Sequence, residues 1–296
     1  MSGTVVNING VLFDKDSARV SVFDRGFLYG DSIYEVLRTY GGNVFDFDGH
    51  ADRLWESAEA LGMPLSWDRK QLRTELARTL DAAGNDESYI RVVVTRGAGE
   101  IGLDPALAVG QQTLIVIKPL TLPTADFYAR GISAIVPRVR RNLRDALDPA
   151  IKSGNYLNNI LALHEAIRAG AQDAIMLDHR GLVTEGTTAN VWIGRNGRLV
   201  TPPLSVGILA GITRRHVLRL APEGGLTAEE ADFDASALRA ADEIFFTSSI
   251  KEIVPVTRLD GRAVGGGTPG PLTRRVSEIF QRYTNGLRAR RDGRVQ

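Results

Sequence analysis

Short apolar runs separated by turn formers most limit what this 296-residue chain can fold into. "VVNINGVLFD", "GNVFDF", "DSIYEVLRTY", "YIRVVVT", "TLIVIKPL", "ISAIVPRV", "DAIMLD", "LVTEG", "ANVWIG", "EIFFTSS" and "IVPVTRLDG" are rich in β-branched and aromatic residues and read as strands. Asn9-Gly10 and Asn196-Gly197 mark tight hairpins. Between the runs lie helical patterns. "HADRLWESAEALGM" repeats Leu54, Ala58 and Leu61 before the stop at Gly62, and "DRKQLRTELARTLDAAG" ends at Gly84. "NYLNNILALHEAIRAG", "ITRRHVLRLA" and "TRRVSEIFQRY" complete the helices. The first of these three is expected to begin near Asn155 and to bury Leu157, Leu161 and Ile167 on one side. A mixed α/β (α+β) fold in two domains follows. Residues 1–120 form a small α/β domain, and residues 121–131, with Pro123 in "PLTLPTADFYARG", form a linker. Residues 132–286 form a larger strand-rich domain, and the basic tail 287–296 is expected to be solvated and mobile.

Composition removes several function classes. A net charge of +1 gives no reason to expect nucleic acid or an acidic membrane as partner. The arginines of "PRVRRNLR" (Arg138, Arg140, Arg141, Arg144) lack an aromatic stacking platform and read as a solvated or substrate-channel face. Without cysteine there is no disulfide, thiolate nucleophile or Cys-ligated zinc, and no metal site is expected. No secretory signal pattern opens the chain and no apolar run approaches the roughly 18 residues of a membrane span. The expectation is a cytoplasmic protein.

"RGAGEIG" tests a specific alternative. Gly97, Gly99 and Gly102 spell G-x-G-x-x-G after a strand, the pattern of a dinucleotide-binding turn. That turn must open a helix inside a βαβ unit. Here Asp104-Pro105 and Gly110 leave too little room for a crossover helix before "TLIVIKPL". A glycine-rich loop is the better reading, and an NAD-binding or non-catalytic α/β protein becomes the remote alternative.

Amine chemistry has few candidates, because only five lysines occur among 36 Lys and Arg residues: Lys15, Lys70, Lys118, Lys152 and Lys251. Lys152 stands where an extended segment meets a helix, flanked by small Ser153 and Gly154, so a flat ligand can approach its amine closely. The bland alternative is an exposed loop lysine. Glu185 in "VTEGTTANVW" closes a strand, and by itself is an ordinary turn carboxylate. Gly211, Ile212 and Thr213 open a helix whose free N–H groups suit a phosphate. Ser248 and Ser249 add hydroxyls, and Arg53 is a solvated charge or a phosphate clamp. A lysine, an acid and a hydroxyl-rich anion site on separate elements are what pyridoxal phosphate chemistry needs.

Taken in order, "HADRL", "KSGNYLNNILA", "EGTTANVW", "GITR" and "FFTSSIKEIVPV" resemble the successive signatures of the class IV pyridoxal-phosphate enzymes. That family includes branched-chain aminotransferases, D-amino acid aminotransferases and aminodeoxychorismate lyases. The resemblance runs from about Asn9 to about Tyr283. It implies the fold-type IV architecture: a small α/β sandwich domain, a larger strand-rich pseudo-barrel domain, the cofactor pyridoxal 5'-phosphate between them, and a homodimer or higher oligomer. It also implies roles. Lys152 holds the cofactor as a Schiff base and, once freed, moves a proton as an unprotonated amine. Glu185 pairs with the pyridine nitrogen, Tyr156 with the phenolic oxygen, and Leu209 packs on the ring. Arg53, Gly211, Ile212, Thr213, Ser248 and Ser249 surround the phosphate.

For substrate, the resemblance places Tyr34, Val36 and Arg38 on the pocket face of one strand, with Tyr89, Arg91 and Ile250 nearby. Family D-amino acid enzymes carry an Arg-x-His carboxylate trap in the loop after "YIRVVVT"; Ile101 and Leu103 stand there instead. "YIR" and "GLDP" look like the branched-chain enzymes, where this loop of one subunit covers the other's site and would bring Leu103 over the partner's pocket. The expected reaction transfers the amino group of a branched-chain L-amino acid to 2-oxoglutarate. D-amino acid transfer or aminodeoxychorismate cleavage is the alternative on the same scaffold.

Overall fold

The computed structural model describes residues 3–288. It divides the chain into two compact units. The first takes the chain as far as Thr121, returns for Ile151–Asn155, and resumes at Asn285; the second comprises Leu122–Ala150 and Tyr156–Thr284. The five-residue return carries Lys152 into the first unit, whereas the boundaries expected from sequence keep it in the domain of residues 132–286.

The first unit is built on β1 (Val5–Ile8), β2 (Val11–Asp14), α1 (Arg25–Tyr29), β3 (Ser32–Tyr40), β4 (Asn43–Val44), α2 (Phe47–Ala60), α3 (Arg69–Ala83), β5 (Ser88–Thr95), the short β6 (Ala98–Gly99) and β7 (Ala108–Val109), and β8 (Gln112–Pro119). Six strands form one antiparallel sheet in the order β2-β1-β8-β5-β3-β4. Asn9 and Gly10 both take positive φ, as a two-residue hairpin of twisted strands requires. Register separates the two faces of this sheet. Val5, Ile117, Ile90 and Leu37 line up across four strands, and with Ile33, Val92, Val94 and Ile115 they pack against Leu54 and Ala58 of α2 and Leu72, Leu76 and Leu80 of α3. The opposite face carries Tyr34, Val36, Arg38, Tyr89 and Arg91.

"GNVFDF" keeps only two strand residues, because the Asp46 side chain accepts from Gly49 N at 3.1 Å and starts the helix at Phe47 rather than His50.

The second unit comprises α4 (Ala125–Arg130), β9 (Ile132–Ile135), α5 (Arg144–Leu147), α6 (Leu157–Arg168), β10 (Asp173–Leu177), β11 (Val183–Gly186), β12 (Asn190–Arg195), β13 (Arg198–Thr201), α7 (Ile212–Glu223), β14 (Thr227–Glu230), α8 (Ala235–Arg239), β15 (Glu243–Ser248), β16 (Glu252–Leu259), β17 (Arg262–Ala263) and α9 (Pro271–Arg288, whose last turn falls in the first unit). Its nine-stranded sheet runs β11-β10-β9-β16-β15-β12-β13-β14, with β17 paired to β16 off that path, and β11 also pairs with β12. That extra pairing closes six strands into a ring, with Glu185 directly opposite Asn190 at the closure. The mixed α/β class therefore stands, with the strand-rich barrel-like sheet in the second unit. Part of the linker segment 121–131 is helical as α4, capped by Thr124. Of the tail 287–296, α9 includes residues to Arg288, and the remainder lies outside the described residues.

One expectation about α6 is overturned. Leu157, Leu161 and Ile167 are not buried; they are 66%, 47% and 61% exposed, and the helix buries Asn159, Ala162 and Ala166 instead. The alanines let the helix approach the sheet closely, packing on Ala171, Ala174 and Met176. Side-chain size pointed to the wrong face.

Candidate active site

Lys152 owes its position to the edge of β3. Its carbonyl accepts from Tyr34 N at 2.9 Å, its own N–H donates to Ser57 Oγ of α2 at 3.2 Å, and Gly154 N donates to Ser32 O at 2.8 Å. The five-residue return is thus stitched to the first unit as a strand-like strap, with Ser153 bridged to Ile33. The lysine is half-buried, and Nζ lies 4.6 Å from the Tyr34 ring centroid. The Arg91 guanidinium carbon lies 4.0 Å from the same ring. Tyr34, Arg91 and Lys152 therefore meet on the sheet face turned away from α2 and α3. Val36 sits opposite Arg91, and Arg38 opposite Tyr89. Arg38 is buried, stacks 4.1 Å over Tyr40 and donates from Nε to Thr39 O at 3.3 Å, while Lys118 approaches the Tyr89 ring at 4.9 Å.

Arg53 points to the other face and is not a solvated charge. From α2 its Nε and Nη2 donate to the two oxygens of Glu35, each at 2.7 Å, and His50 Nδ1 lies 2.7 Å from Glu35 Oε2. All three are buried. Burial pushes the Glu35 carboxyl upward, but the Arg53 charge and the hydrogen bonds from Arg53 and His50 outweigh it and bring it to about 2. Burial is the main force pushing His50 below its ordinary value, so the imidazole is neutral and donates from Nδ1 to the carboxylate.

In the second unit Glu185 is held on both oxygens. Oε1 accepts from Arg141 Nε at 3.0 Å and Oε2 from Leu209 N at 3.1 Å. Arg141 Nη1 also donates to Asn158 Oδ1 at 3.0 Å and Asn159 Oδ1 at 3.3 Å on α6. Asn190 donates from Nδ2 to Leu209 O at 2.9 Å. The reading of Arg141 as part of a solvated face is corrected: it is buried against Glu185, whereas Arg138, Arg140 and Arg144 are exposed. Nothing in "PRVRRNLR" marks which of its arginines turns inward; the pairing depends on β11 and α6 converging.

Helix α7 begins just beyond, at Ile212, with Gly211 as N-cap and no side chain capping it. Among the described residues two buried side-chain polar atoms have no hydrogen-bond partner, and one is Thr213 Oγ1 in the first turn of this helix; the other is His50 Nε2. An uncapped 12-residue helix with an orphaned hydroxyl at its start is a ready anion site, which fits the phosphate of pyridoxal 5'-phosphate. A half-buried lysine and a buried glutamate fit the rest of that group's chemistry. Ser248, at the end of β15, accepts from Lys251 N at 3.3 Å, and Ser249 and Ile250 occupy the turn into β16. Tyr156 immediately precedes α6 and its carbonyl accepts from Ile160 N at 3.0 Å. Leu103 lies on an exposed loop of the first unit. Among the described residues no group of His, Asp and Glu could hold a metal ion, and no helix is long and apolar enough to cross a membrane.

Comparison with known proteins places this geometry. The family model described as amino-transferase class IV matches residues 32–259. A protein of Methanocaldococcus jannaschii, provisionally named a branched-chain-amino-acid aminotransferase, is 41% identical over 277 residues, covering 93% of this chain and 95% of its own. A D-alanine aminotransferase of Bacillus licheniformis is 37% identical over 276 residues, with 93% and 95% covered. The crystal structure of the Escherichia coli branched-chain amino acid aminotransferase superposes with a TM-score of 0.92 at 30% identity, covering 98% of this chain and 97% of that one. The chain belongs to the class IV amino-transferases, enzymes that move amino groups with pyridoxal 5'-phosphate.

Proposed function

We propose that this enzyme transfers the amino group of a branched-chain L-amino acid to 2-oxoglutarate, working as a homodimer or a higher oligomer. The observation that carries the substrate choice is the apolar pair Ile101 and Leu103, standing where the D-amino acid enzymes it resembles carry an arginine and a histidine. Both are largely exposed on their own chain, which supports a role over a second copy. The relatives named for branched-chain substrates favour the same reading.

When bound, pyridoxal 5'-phosphate supplies an electron sink for the carbanion left at the substrate's Cα. This chain's residues do the rest. Lys152 Nζ holds the cofactor and, when released, takes the proton from Cα. Glu185, fixed by Arg141 and Leu209 N, keeps a proton on the pyridine nitrogen. Tyr156 donates to the phenolic oxygen, and Leu209 packs on the ring. The first turn of α7, Thr213 Oγ1, Gly211, Ser248 and Ser249 bind the phosphate. Arg53, expected from the resemblance to join them, is committed to Glu35 on the α2 face of the first unit's sheet and holds that cluster together instead. Arg91, Tyr89 and Arg38 orient the substrate carboxylate; Tyr34, Val36, Ile250 and Leu103 enclose its side chain.

A half-reaction experiment tests this reading. The cofactor-loaded protein is mixed separately with L-leucine, D-alanine and aminodeoxychorismate, and the absorbance of the lysine-bound cofactor is followed. Loss of that band with L-leucine is expected, and its persistence in Lys152→Ala is not. A response to D-alanine alone would overturn the substrate choice in favour of D-amino acid transfer.

A further inference from the structure

The glycine-rich segment after β5 is strapped down. Arg25 N donates to Gly97 O at 2.9 Å and Gly99 N to Phe23 O at 3.3 Å, and the chain then runs through one 3-10 turn at Pro105–Leu107 into β7. At the tip, Arg25 grips two consecutive carbonyls: Nη1 donates to Gly102 O at 2.8 Å and Nη2 to Leu103 O at 3.1 Å. Gly102 N donates to Tyr29 Oη at 3.1 Å, and the Arg25 guanidinium carbon lies 5.1 Å from the Tyr29 ring. Arg25 Nε is paired with Asp31 at 3.1 Å. Asp31 also holds Arg96 at 2.7 Å, and Arg96 reaches the carbonyls of Leu61 and Gly62 at 3.0 and 3.2 Å.

This arginine is only 3% exposed, yet the side chains it organises are not. Ile101 is 71% exposed and Leu103 80%. Taking a guanidinium out of water is costly unless its fork is satisfied, and here the fork is completed by main-chain carbonyls of a surface loop. No apolar burial at the tip offsets that cost within this chain. The clamp's effect is instead to fix the backbone at Gly102 and Leu103, and with it the direction in which Leu103 projects.

We propose that Arg25 is a positioning residue for substrate selection: its grip on the carbonyls of Gly102 and Leu103 holds Ile101 and Leu103 as a preformed apolar tip that closes over the amino donor's side chain on a second copy of this chain. This rests on the reading of Leu103 given above. Arg25 acts through the tip and touches neither substrate nor cofactor. A tip ordered in advance loses little conformational freedom on binding, so loosening it weakens donor affinity more than turnover.

The test uses cofactor-loaded Arg25→Gln, Arg25→Lys and Leu103→Ala. Hydrogen exchange is read over residues 97–107, and steady-state kinetics are measured with L-leucine and L-alanine. Arg25→Gln is expected to speed exchange at the tip and raise KM for L-leucine about tenfold, with kcat within about twofold. KM for L-alanine and the bound-cofactor absorbance should hardly move. Arg25→Lys keeps the Asp31 pair but loses the fork; it should fall between, and it carries the same test if the glutamine variant does not fold. Unchanged exchange at the tip overturns the proposal. So does faster exchange with unaltered KM when Leu103→Ala does raise KM. If neither Arg25 nor Leu103 variants alter KM for L-leucine, it is the assignment of Leu103 that fails, and the proposal falls with it.

Discussion

Both Glu185 oxygens are engaged within the chain itself, one by the Arg141 guanidinium and one by a main-chain N–H. A buried carboxylate held this way has one orientation, which its proposed task at a pyridine nitrogen requires. Removing one partner of a buried ion pair leaves the other charge uncompensated, at a cost of about 3–5 kcal/mol. Arg141→Met is therefore expected to lower the melting temperature and weaken cofactor retention, measured by thermal denaturation and equilibrium dialysis. Arg141→Lys should recover part of both, since it restores the charge without the fork that also reaches Asn158 and Asn159. The sequence made Lys152 and Glu185 conspicuous, one by scarcity of lysine and both by their flanking residues. Arg141 stayed hidden among neighbouring arginines, because what distinguishes it is burial against segments distant along the chain.

At the scale of elements, the strands were legible because alternation and turn residues are local properties. Helix faces were legible only where large apolar residues did face the sheet. In α2, Leu54 and Ala58 are buried at helical spacing, as expected. In α6 the buried face is small and partly polar, so periodicity of large side chains chose the exposed one. The start of α7 depends on a close approach that spacing alone does not show. A Cβ on Gly211 would overlap Asn190 Oδ1, the residue that also donates to Leu209 O and sits opposite Glu185 across the ring closure. Gly211→Ala must displace the buried Asn190 side chain from its bond to Leu209 O or shift the α7 start, at about 1–3 kcal/mol for overpacking. Its expected signature is selective: cofactor affinity, measured by titrating pyridoxal 5'-phosphate into the cofactor-free protein, should drop more than the melting temperature suggests. Equal wild-type and variant affinity would mean that the helix start does not contribute to holding the phosphate.

Across the whole molecule, two compact units share one interleaved chain, so unfolding need not be a single transition, and pH should act on the units unequally. The first unit contains the buried Glu35–His50–Arg53 cluster, where His50 faces Glu35, Arg53 and the nearby charge of Asp46. His50 titrates below its ordinary 6.5 in the folded state. As pH falls through that value the unfolded chain takes up a proton that the folded chain refuses, so stability declines with falling pH. Glu35 works lower down. Its carboxyl is brought to about 2 from 4.5, so its stabilisation is complete above 4.5 and lost as pH falls toward 2. Between pH 7 and 5, then, the histidine alone of this pair drives the loss. Hydrogen exchange resolved by element should show β3 and α2 losing protection over that range. His50→Gln, which can still donate to Glu35 but cannot titrate there, should flatten the slope between pH 7 and 5 and leave the steeper loss below pH 4.5 in place. An unchanged slope in the variant would assign the pH dependence to groups outside this cluster.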